Sequence, residues 1–419
     1  MNDVRSAAES VFRRESGRII ATLIRISGSF DRAEEAMQEA FASALASWPL
    51  KGIPENPAAW VTTTAHRKLI DTARRERTRR EKQDSLEYET GTAAAAVELE
   101  PEPADMHFPD DRLRLIFTCC HPALNADAQV ALTLRTLGGL STPEIAKAFL
   151  LPEATLAQRL VRAKRKIQEA KIPYETPPPE RLAERLAAVQ SVVYLIFNEG
   201  YAAAFGAGLV RGELCGEAIR LGRVLCELVP QDAENMGILA LMLLQHSRRD
   251  ARVADGELVT LEDQDRSLWD RQAIAEGLVL VERALGLGPV GPYGLQAAIA
   301  ALHAQAKTPE QTDWRQIAAL YGKLLELNPS PVIALNRAAA VAMTGAMEEG
   351  LAQIDDLGRA GALDRYYLFH AARADLLRRL NRPGEAAEAY RRAADLAVNR
   401  IEVEYLEKRL QQIRARLGA

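Results

Sequence analysis

Cysteine and aromatic residues are scarce in this chain, and long apolar runs are missing from it. Four cysteines in 419 residues, with no Cys-x-x-Cys pair, exclude a disulfide scaffold and fit a reducing compartment. The longest apolar stretch, Met236–Leu244, falls far short of the roughly 20 residues that span a bilayer. The first ten residues lack the apolar core of a secretion signal. We therefore expect a cytoplasmic protein with no membrane partner.

Sequence motifs of the common enzyme classes are also missing. The chain contains no G-x-x-x-x-G-K-[ST], no H-E-x-x-H, no G-x-S-x-G and no G-x-G-x-x-G after a predicted strand. Cys119 and Cys120 precede His121, but no second ligand pair lies at zinc spacing, so packing at a helix end is the favoured interpretation. We predict a protein without enzyme activity, with no catalytic residue, no metal site and no cofactor.

Alanine and leucine dominate the composition while aromatics make up only 5%, which favours an all-α fold because these residues lose little rotamer freedom in a helix. The net charge of −4 hides a strong segregation. Arg74–Lys82 carries six basic and two acidic residues, Gln83–Asp111 nine acidic and no Lys or Arg, and Ala154–Lys171 six basic and one acidic. Basic helices in an acidic protein indicate a polyanion-binding function confined to those elements. Solvated helix faces are the alternative.

The front of the chain is predicted to form helices over residues 1–82, with Asp31 capping the second one. A loop is expected at Trp48–Pro57, since three prolines and a glycine interrupt it, and a third helix is expected from near Ala58. Trp60 in that helix fits a core anchor better than a wedge that melts DNA. Residues 83–109 are acidic and poor in large apolar side chains, which predicts a flexible linker.

Residues 110–172 are predicted to form a second helical unit that ends in a helix-turn-helix. Ser141–Glu144 has the form of a capping box, and Leu156, Leu160, Ala163 and Ile167 form a buried stripe on the last helix. Gln and Arg on the opposite face suit base edges, and Lys and Arg suit phosphates. A basic surface helix of a bundle is the alternative. The expected base-reading residues are Thr155, Gln158, Arg159 and Arg162, and the expected phosphate-binding residues are Lys164, Arg165 and Lys166.

Residues 181–419 are predicted to be helical and partly repetitive. Leu225–Pro230 and Leu324–Pro329 share the pattern L-x-E-L-x-P. Near the end, Ala386, Tyr390 and Ala393 occupy the places of small and aromatic residues in a tetratricopeptide helix. Phe197–Tyr201 is a polar insertion between apolar runs, which fits a buried polar network or a contact site. Four acidic residues near Trp269 are expected in a solvated loop: Glu262, Asp263, Asp265 and Asp270.

Taken together, the first 172 residues resemble the extracytoplasmic-function sigma factors of bacteria, in the sigma-70 superfamily. Asp31–Phe41 is similar to the helix by which that family docks on the polymerase clamp, and Ala65–Arg75 to its minus-10 segment, with His66-Arg67 where Arg-Asn is commoner. Leu151–Ile167 is similar to the helix that reads the minus-35 element. The resemblance implies polymerase contacts at Asp31, Glu34, Glu35, Gln38, Glu39 and Phe41 and minus-10 contacts at Thr63, His66, Arg67, Lys68, Arg74 and Arg75.

The C-terminal part resembles a subgroup of these factors that carries a tetratricopeptide-like extension. The phrases FTCCHPAL (117–124), LIFNEGY (195–201), QDRSLWD (264–270) and GPYGLQAAIAALHA (291–304) carry that resemblance. It implies that the extension regulates the factor or binds a protein partner.

We therefore expect an all-α protein with sigma domain 2 over 1–82, an acidic linker over 83–109, sigma domain 4 over 110–172 and a tetratricopeptide-like domain over 181–419. Its expected partners are core RNA polymerase and promoter DNA. Two alternatives stay open. One is a helix-turn-helix activator with a tetratricopeptide-like sensor, and the other is a tetratricopeptide scaffold that binds protein.

Overall fold

A computed structural model describes residues 2–84, 109–149, 151–201 and 212–417 of the chain. The chain folds as two compact units, residues 1–192 and 193–419. The predicted all-α class is confirmed, since the described residues are almost entirely helical and their strands amount to a two-residue pair. Residues 85–108 of the predicted linker lie outside the described residues.

The first unit begins with three helices that pack on one another through alternating small and large apolar side chains. Ile20 and Leu23 of the first helix, Met37 of the second and Val61 and Leu69 of the third are all buried. Four further helices and the start of an eighth complete the unit. The helices are α1 Asn2–Ser27, α2 Phe30–Lys51, α3 Pro57–Asp84, α4 Pro109–Cys119, α5 Ala126–Thr136, α6 Thr142–Ala148, α7 Glu153–Glu169 and α8 Pro179–Tyr201.

Two local predictions in this unit are wrong. Helix α2 begins two residues earlier than expected, because the Ser29 side chain accepts a hydrogen bond from the Arg32 backbone N–H at 3.4 Å and caps it in place of Asp31. The same helix runs through Pro49 and ends only at Gly52, whose φ of 85° suits a glycine. The expected loop at Trp48–Pro57 is therefore shorter, because a proline this close to a helix end disrupts few backbone hydrogen bonds.

The second unit is a series of antiparallel helices with short connections and one small strand pair, in which Val253 pairs with Leu258. Short 3₁₀ turns occur at Arg249–Ala251, Arg266–Leu268 and Pro309–Gln311. The elements are α9 Gly212–Leu228, α10 Ala233–His246, β1 Val253–Ala254, β2 Glu257–Leu258, α11 Arg271–Gly286, α12 Pro292–Gln305, α13 Trp314–Leu327, α14 Pro331–Met343, α15 Met347–Arg359, α16 Tyr367–Arg379, α17 Pro383–Leu396 and α18 Arg400–Leu417.

Helical hairpins account for the repetition seen in the sequence. Both copies of L-x-E-L-x-P lie at the end of one helix and before the next, at α9/α10 and α13/α14. Ala386, Tyr390 and Ala393 are buried in the α16/α17 hairpin as expected. Close helix approach is visible at Gly350, where a methyl group would lie 2.6 Å from the Ala342 Cβ. The assignment of these hairpins to the tetratricopeptide class stays a prediction.

None of the helices in the described ranges is long and apolar enough to cross a bilayer.

Candidate nucleic-acid interface

The predicted helix-turn-helix is formed by α6 and α7. The capping box is confirmed, because Glu144 Oε2 accepts hydrogen bonds from the Ser141 backbone N–H and hydroxyl, both at 2.7 Å. The turn is closed by a hydrogen bond of 2.9 Å from the Leu151 N–H to the Ala146 carbonyl oxygen. Helix α7 then buries the expected stripe of Leu156, Leu160, Ala163 and Ile167. The stripe fixes which face of α7 points to solvent.

The outward face of α7 carries the predicted base-reading side chains. Thr155, Gln158 and Arg162 are exposed and follow one another at helical spacing. Arg159 is half-buried, and its Nη2 lies 3.1 Å from Asp127 Oδ2. Arg165 is exposed but pairs with Glu169 one turn further on, and Lys166 is exposed. One polar face of this helix is thus free to meet another molecule.

Helix α3 presents a second basic face. Arg67, Arg74 and Arg75 are exposed, and the first two lie opposite the buried Val61, Ala65 and Leu69, two turns apart on one side of the helix. The other three predicted minus-10 residues are partly covered. Thr63 and His66 are half-buried, and the Lys68 Nζ lies 3.4 Å from Glu39 Oε2.

The His66 side chain is held in its neutral form. Burial lowers the pKa of its imidazole, and the nearby positive charge of Arg25 lowers that pKa further. At neutral pH the ring is therefore a hydrogen-bonding group with no charge of its own. The basic face of α3 owes its charge to its arginines.

Helix α2 divides the predicted polymerase-contacting residues into two sets. Asp31, Glu35 and Gln38 are exposed. Glu34 and Glu39 are half-buried and take part in ion pairs, as does the exposed Asp31, and Phe41 is half-buried with its ring edge-to-face against Phe12 at 5.4 Å. Phe41 therefore helps to hold α2 on α1.

Two of the predicted sites meet at Lys164. Its Nζ lies 2.7 Å from Glu34 Oε2 and 3.0 Å from Asp31 Oδ1, so a side chain expected on phosphate pairs with two expected on polymerase. Only 13% of the Lys164 side chain and 14% of that of Glu34 are exposed. Burial lowers the pKa of Lys164, but the two carboxylates outweigh it and the net pKa is raised. Lys164 thus ties α7 to α2.

A buried contact that the sequence did not reveal lies between α1 and α4. The Arg25 Nε donates to Asp111 Oδ2 at 2.9 Å, and Asp111 is fully buried. The Tyr174 hydroxyl oxygen lies 2.8 Å from the carbonyl oxygen of Ala21 and 3.0 Å from that of Asp111. Burial and the Asp111 charge raise the pKa of Tyr174, so this hydroxyl stays protonated. The two helical parts of the first unit are therefore packed together.

The cysteine prediction is confirmed as packing, whereas the role of Trp60 as a core anchor stays a prediction. Trp48 is buried and meets the half-buried Trp60 edge-to-face, with ring centroids 5.6 Å apart. Cys119 Sγ lies 3.2 Å from Thr136 Oγ1, and Cys120 Sγ lies 3.6 Å from Thr133 Oγ1. Burial raises the pKa of Cys120 to about 12, so its thiol is inert at neutral pH.

Comparison with known proteins identifies three segments. Residues 11–79 match the model of sigma-70 region 2, residues 114–167 match sigma-70 region 4, and residues 185–285 match a family of unknown function (DUF6596). The uncharacterized protein R00370 of Rhizobium meliloti (strain 1021) is 46% identical over 401 residues, which cover 94% of this chain and 93% of that protein. The probable ECF RNA polymerase sigma factor SigI of Mycobacterium tuberculosis is 26% identical over 183 residues, 43% of this chain and 61% of its own length.

Proposed function

We propose a role for each face of the first unit. The premise is that this chain belongs to the sigma-70 family and has the make-up of an extracytoplasmic-function sigma factor with a C-terminal extension. Helix α7 reads the minus-35 element, α3 holds the minus-10 element and α2 docks on core RNA polymerase. The domains are those expected from the sequence, 1–82 and 110–172, joined by the acidic linker 83–109. The protein acts in the cytoplasm on promoter DNA.

The observation that carries this proposal is the two-faced character of α7. Leu156 and Leu160 fix the helix from one side, so that Gln158 and Arg162 project from the other. Gln makes paired hydrogen bonds with adenine and Arg with guanine in the major groove. A short preceding helix with a closed turn is the arrangement that places such a helix in the groove.

The remaining contacts follow from charge and exposure. Arg67, Arg74 and Arg75 form an exposed basic row that suits the phosphates of a strand being separated. Asp31, Glu35 and Gln38 give α2 an exposed acidic and polar face, which suits a basic protein surface such as a polymerase clamp. No bond is made or broken in such a role, so the protein needs neither a catalytic residue nor a cofactor.

The extension over 181–419 regulates the factor in this proposal, either in cis or through a protein partner. Its support is the stacked helical hairpins of the second unit, because repeated hairpins build extended surfaces for binding. An activator that leaves the polymerase's own sigma factor in place is the second candidate, favoured by the helix-turn-helix alone.

Binding measurements separate these candidates. The full chain is titrated onto a promoter library with and without core polymerase, at 50 and 200 mM salt, and onto an acidic polypeptide. A sigma factor binds specific DNA tightly only together with core polymerase, and weakens at the higher salt because phosphate contacts release counterions. Tight specific binding without polymerase would favour the activator, and binding to the acidic polypeptide alone would favour the scaffold.

A further inference from the structure

Three phrases of the C-terminal extension have no part in promoter recognition, yet the fold brings them together. Tyr201 ends the first phrase, Arg266 and Trp269 belong to the second, and His303 belongs to the third. Arg248 and Arg252, which follow α10, join them. We call Tyr201, Arg248, Arg252, Arg266, Trp269 and His303 the arginine–aromatic cluster.

The cluster is held by contacts between its own members. The Arg248 Nη2 donates to the Tyr201 hydroxyl at 2.9 Å, and the Arg252 guanidinium carbon lies 3.9 Å from the centre of the Tyr201 ring. Arg266 lies over the Trp269 ring at 4.7 Å and donates to the His303 carbonyl oxygen at 2.8 Å. The guanidinium of Arg248 lies 6.0 Å from the same indole ring.

The positive charge of the cluster is not balanced. Among the described residues, no carboxylate lies within ion-pair distance of Arg248, Arg252 or Arg266, and the nearby acids Asp250 and Asp270 pair with Arg249 instead. Glu402 and Glu310 act on Arg252 and Arg266 only from a greater distance. Residues 202–211, next in sequence to Tyr201, contain no Asp or Glu.

Several buried polar atoms in and around the cluster also have no hydrogen-bond partner among the described residues. In the cluster itself they are Arg266 Nε, Trp269 Nε1 and His303 Nδ1. Arg266 and Trp269 are only 8% and 2% exposed, so solvent does not satisfy them. A buried donor without an acceptor is costly, and native proteins retain one mainly where a water, ion or ligand fills the gap.

The missing partner has a definite chemistry. Two unpartnered N–H donors and three guanidinium groups without carboxylates call for an acceptor with negative charge. Burial, with Arg248 and Arg266, lowers the pKa of His303 to about 4, so the imidazole adds no charge at neutral pH. The rings of Tyr201 and Trp269 lie against the guanidinium groups of Arg252 and Arg266.

We propose that the arginine–aromatic cluster is a binding site for a compact oxyanion, a carboxylate or a phosphate group of a small molecule. The guanidinium forks bind its oxygens, and the indole N–H of Trp269 donates to it. Such a site allows the second unit to bind, and respond to, a small molecule. It goes beyond the proposed promoter recognition and does not depend on it.

A purely structural cluster and a binding site respond oppositely to loss of charge. Replacing an unbalanced, half-buried arginine such as Arg248 by methionine removes a partly desolvated charge and keeps the apolar bulk, which is neutral or stabilising when the arginine serves a ligand. When the arginine instead holds the fold, the same change lowers the melting temperature. Arg248→Met therefore distinguishes the two, with Arg391→Met on the exposed face of α17 as its matched control.

The test titrates the full chain by calorimetry with inorganic phosphate and, separately, with malonate, against chloride at equal ionic strength. We expect saturable binding of one or both probes, weakened roughly tenfold or more in Arg248→Met and unchanged in Arg391→Met. Trp269→Phe keeps an aromatic ring but removes the indole N–H together with the five-membered ring, so we expect it to weaken binding and also to lower the melting temperature, because the indole is buried.

Preference for phosphate or for malonate identifies which kind of oxyanion the site takes. The proposal is overturned if neither probe binds beyond the chloride control, or if binding survives both Arg248→Met and Trp269→Phe. A melting temperature that falls in Arg248→Met with no anion effect in the parent protein assigns the cluster to structure alone. Neither polymerase nor DNA is present, so failure here leaves the proposed promoter recognition untouched.

Discussion

At the residue scale, the proposed readout of DNA rests on a few side chains of α7. Gln158→Ala removes an exposed side chain. We expect the loss of discrimination at one base pair of the minus-35 element, worth roughly 1–3 kcal/mol. Competition binding of the polymerase complex to promoters mutated one base pair at a time measures it.

The control for this change is Gln168→Ala, which removes the same side chain from an exposed position near the end of the same helix. It should leave the sequence preference unaltered. An identical preference profile for Gln158→Ala and the parent protein would remove Gln158 from the proposed interface.

His303 ties the stability of the second unit to pH. Its pKa in the folded protein is about 4, below the 6.5 of an ordinary imidazole, because of burial and the charges of Arg248 and Arg266. As the pH falls below 6.5, the unfolded chain therefore binds a proton at this histidine before the folded protein does. The contribution of the neutral imidazole to the stability of the folded state is thus complete above pH 6.5 and is lost as the pH falls toward 4. Between pH 7.5 and pH 5 we expect about 2 kcal/mol to be lost through this group.

Chemical denaturation of the parent protein and of His303→Gln at both pH values measures this contribution. The other histidines are common to both proteins, so the difference in pH dependence isolates His303. An equal loss of stability in the two proteins would show that His303 is protonated in the folded state as readily as in the unfolded one.

At the element scale, the proposed promoter contacts require the contact between α2 and α7 to open before the protein can span a promoter. The minus-10 and minus-35 elements of a promoter lie roughly 80 Å apart on B-form DNA. A compact protein unit of the length of residues 1–192 is only about 40 Å across. Lys164 holds the two helices together through Asp31 and Glu34. The described arrangement is therefore a closed state, and we expect binding to polymerase and promoter to separate α2 from α7.

Lys164→Glu places a third carboxylate against two others in a poorly solvated contact, and like charges there repel. With dyes at the exposed positions Ala46 and Gln168, we expect energy transfer to fall in Lys164→Glu. It should stay the same in Lys166→Glu, which changes an exposed lysine of the same helix. Equal energy transfer in both variants would mean that Lys164 does not keep the unit closed.

The elements themselves were largely predictable, and the contacts between them were not. Periodicity identified the buried stripe of α7 and the capping box that precedes it, because both depend on neighbours three or four residues away. Ser29 displaced Asp31 as a cap, since two competing cap residues so close in sequence cannot be ranked without the backbone path. The pairing of Arg25 with Asp111 joins residues 86 positions apart, and no local pattern signals it.

The candidate sites were predictable to a similar extent. Exposure of Gln158 and Arg162 follows from the helical stripe, so the base-reading face was visible in the sequence. The partial burial of Lys164 was not, because its partners belong to another helix. The arginine–aromatic cluster could not be predicted for the same reason, because its residues lie on separate elements. Each of the three sequence phrases that contribute to it nevertheless stood out as unusual.

At the scale of the whole molecule, the division into two units suggests how to separate promoter recognition from regulation. The first unit extends beyond the predicted boundary at residue 172, because the Arg185 Nη2 donates to the Phe117 carbonyl oxygen at 2.6 Å. A fragment of residues 1–192 keeps this contact and that of Tyr174. We expect it to fold and to bind core polymerase, and to initiate transcription at a rate different from that of the full chain.

Circular dichroism checks that the fragment is helical, and transcription from one promoter compares it with the full chain. Equal rates would remove the regulatory role proposed for residues 181–419 while leaving promoter recognition in place. A fragment of 1–172 should be less stable than 1–192, since it lacks Tyr174 and Arg185.

In the proposed function, this protein directs core RNA polymerase to promoters through two DNA-binding faces. Reconstituted transcription is the decisive test, with purified core polymerase, the full chain and a pool of genomic promoter fragments, followed by sequencing of the transcript starts. We predict starts at a restricted set of promoters that share minus-10 and minus-35 elements, and loss of that set in Gln158→Ala with Arg162→Ala. A protein that neither associates with core polymerase nor yields any specific start would contradict the claim.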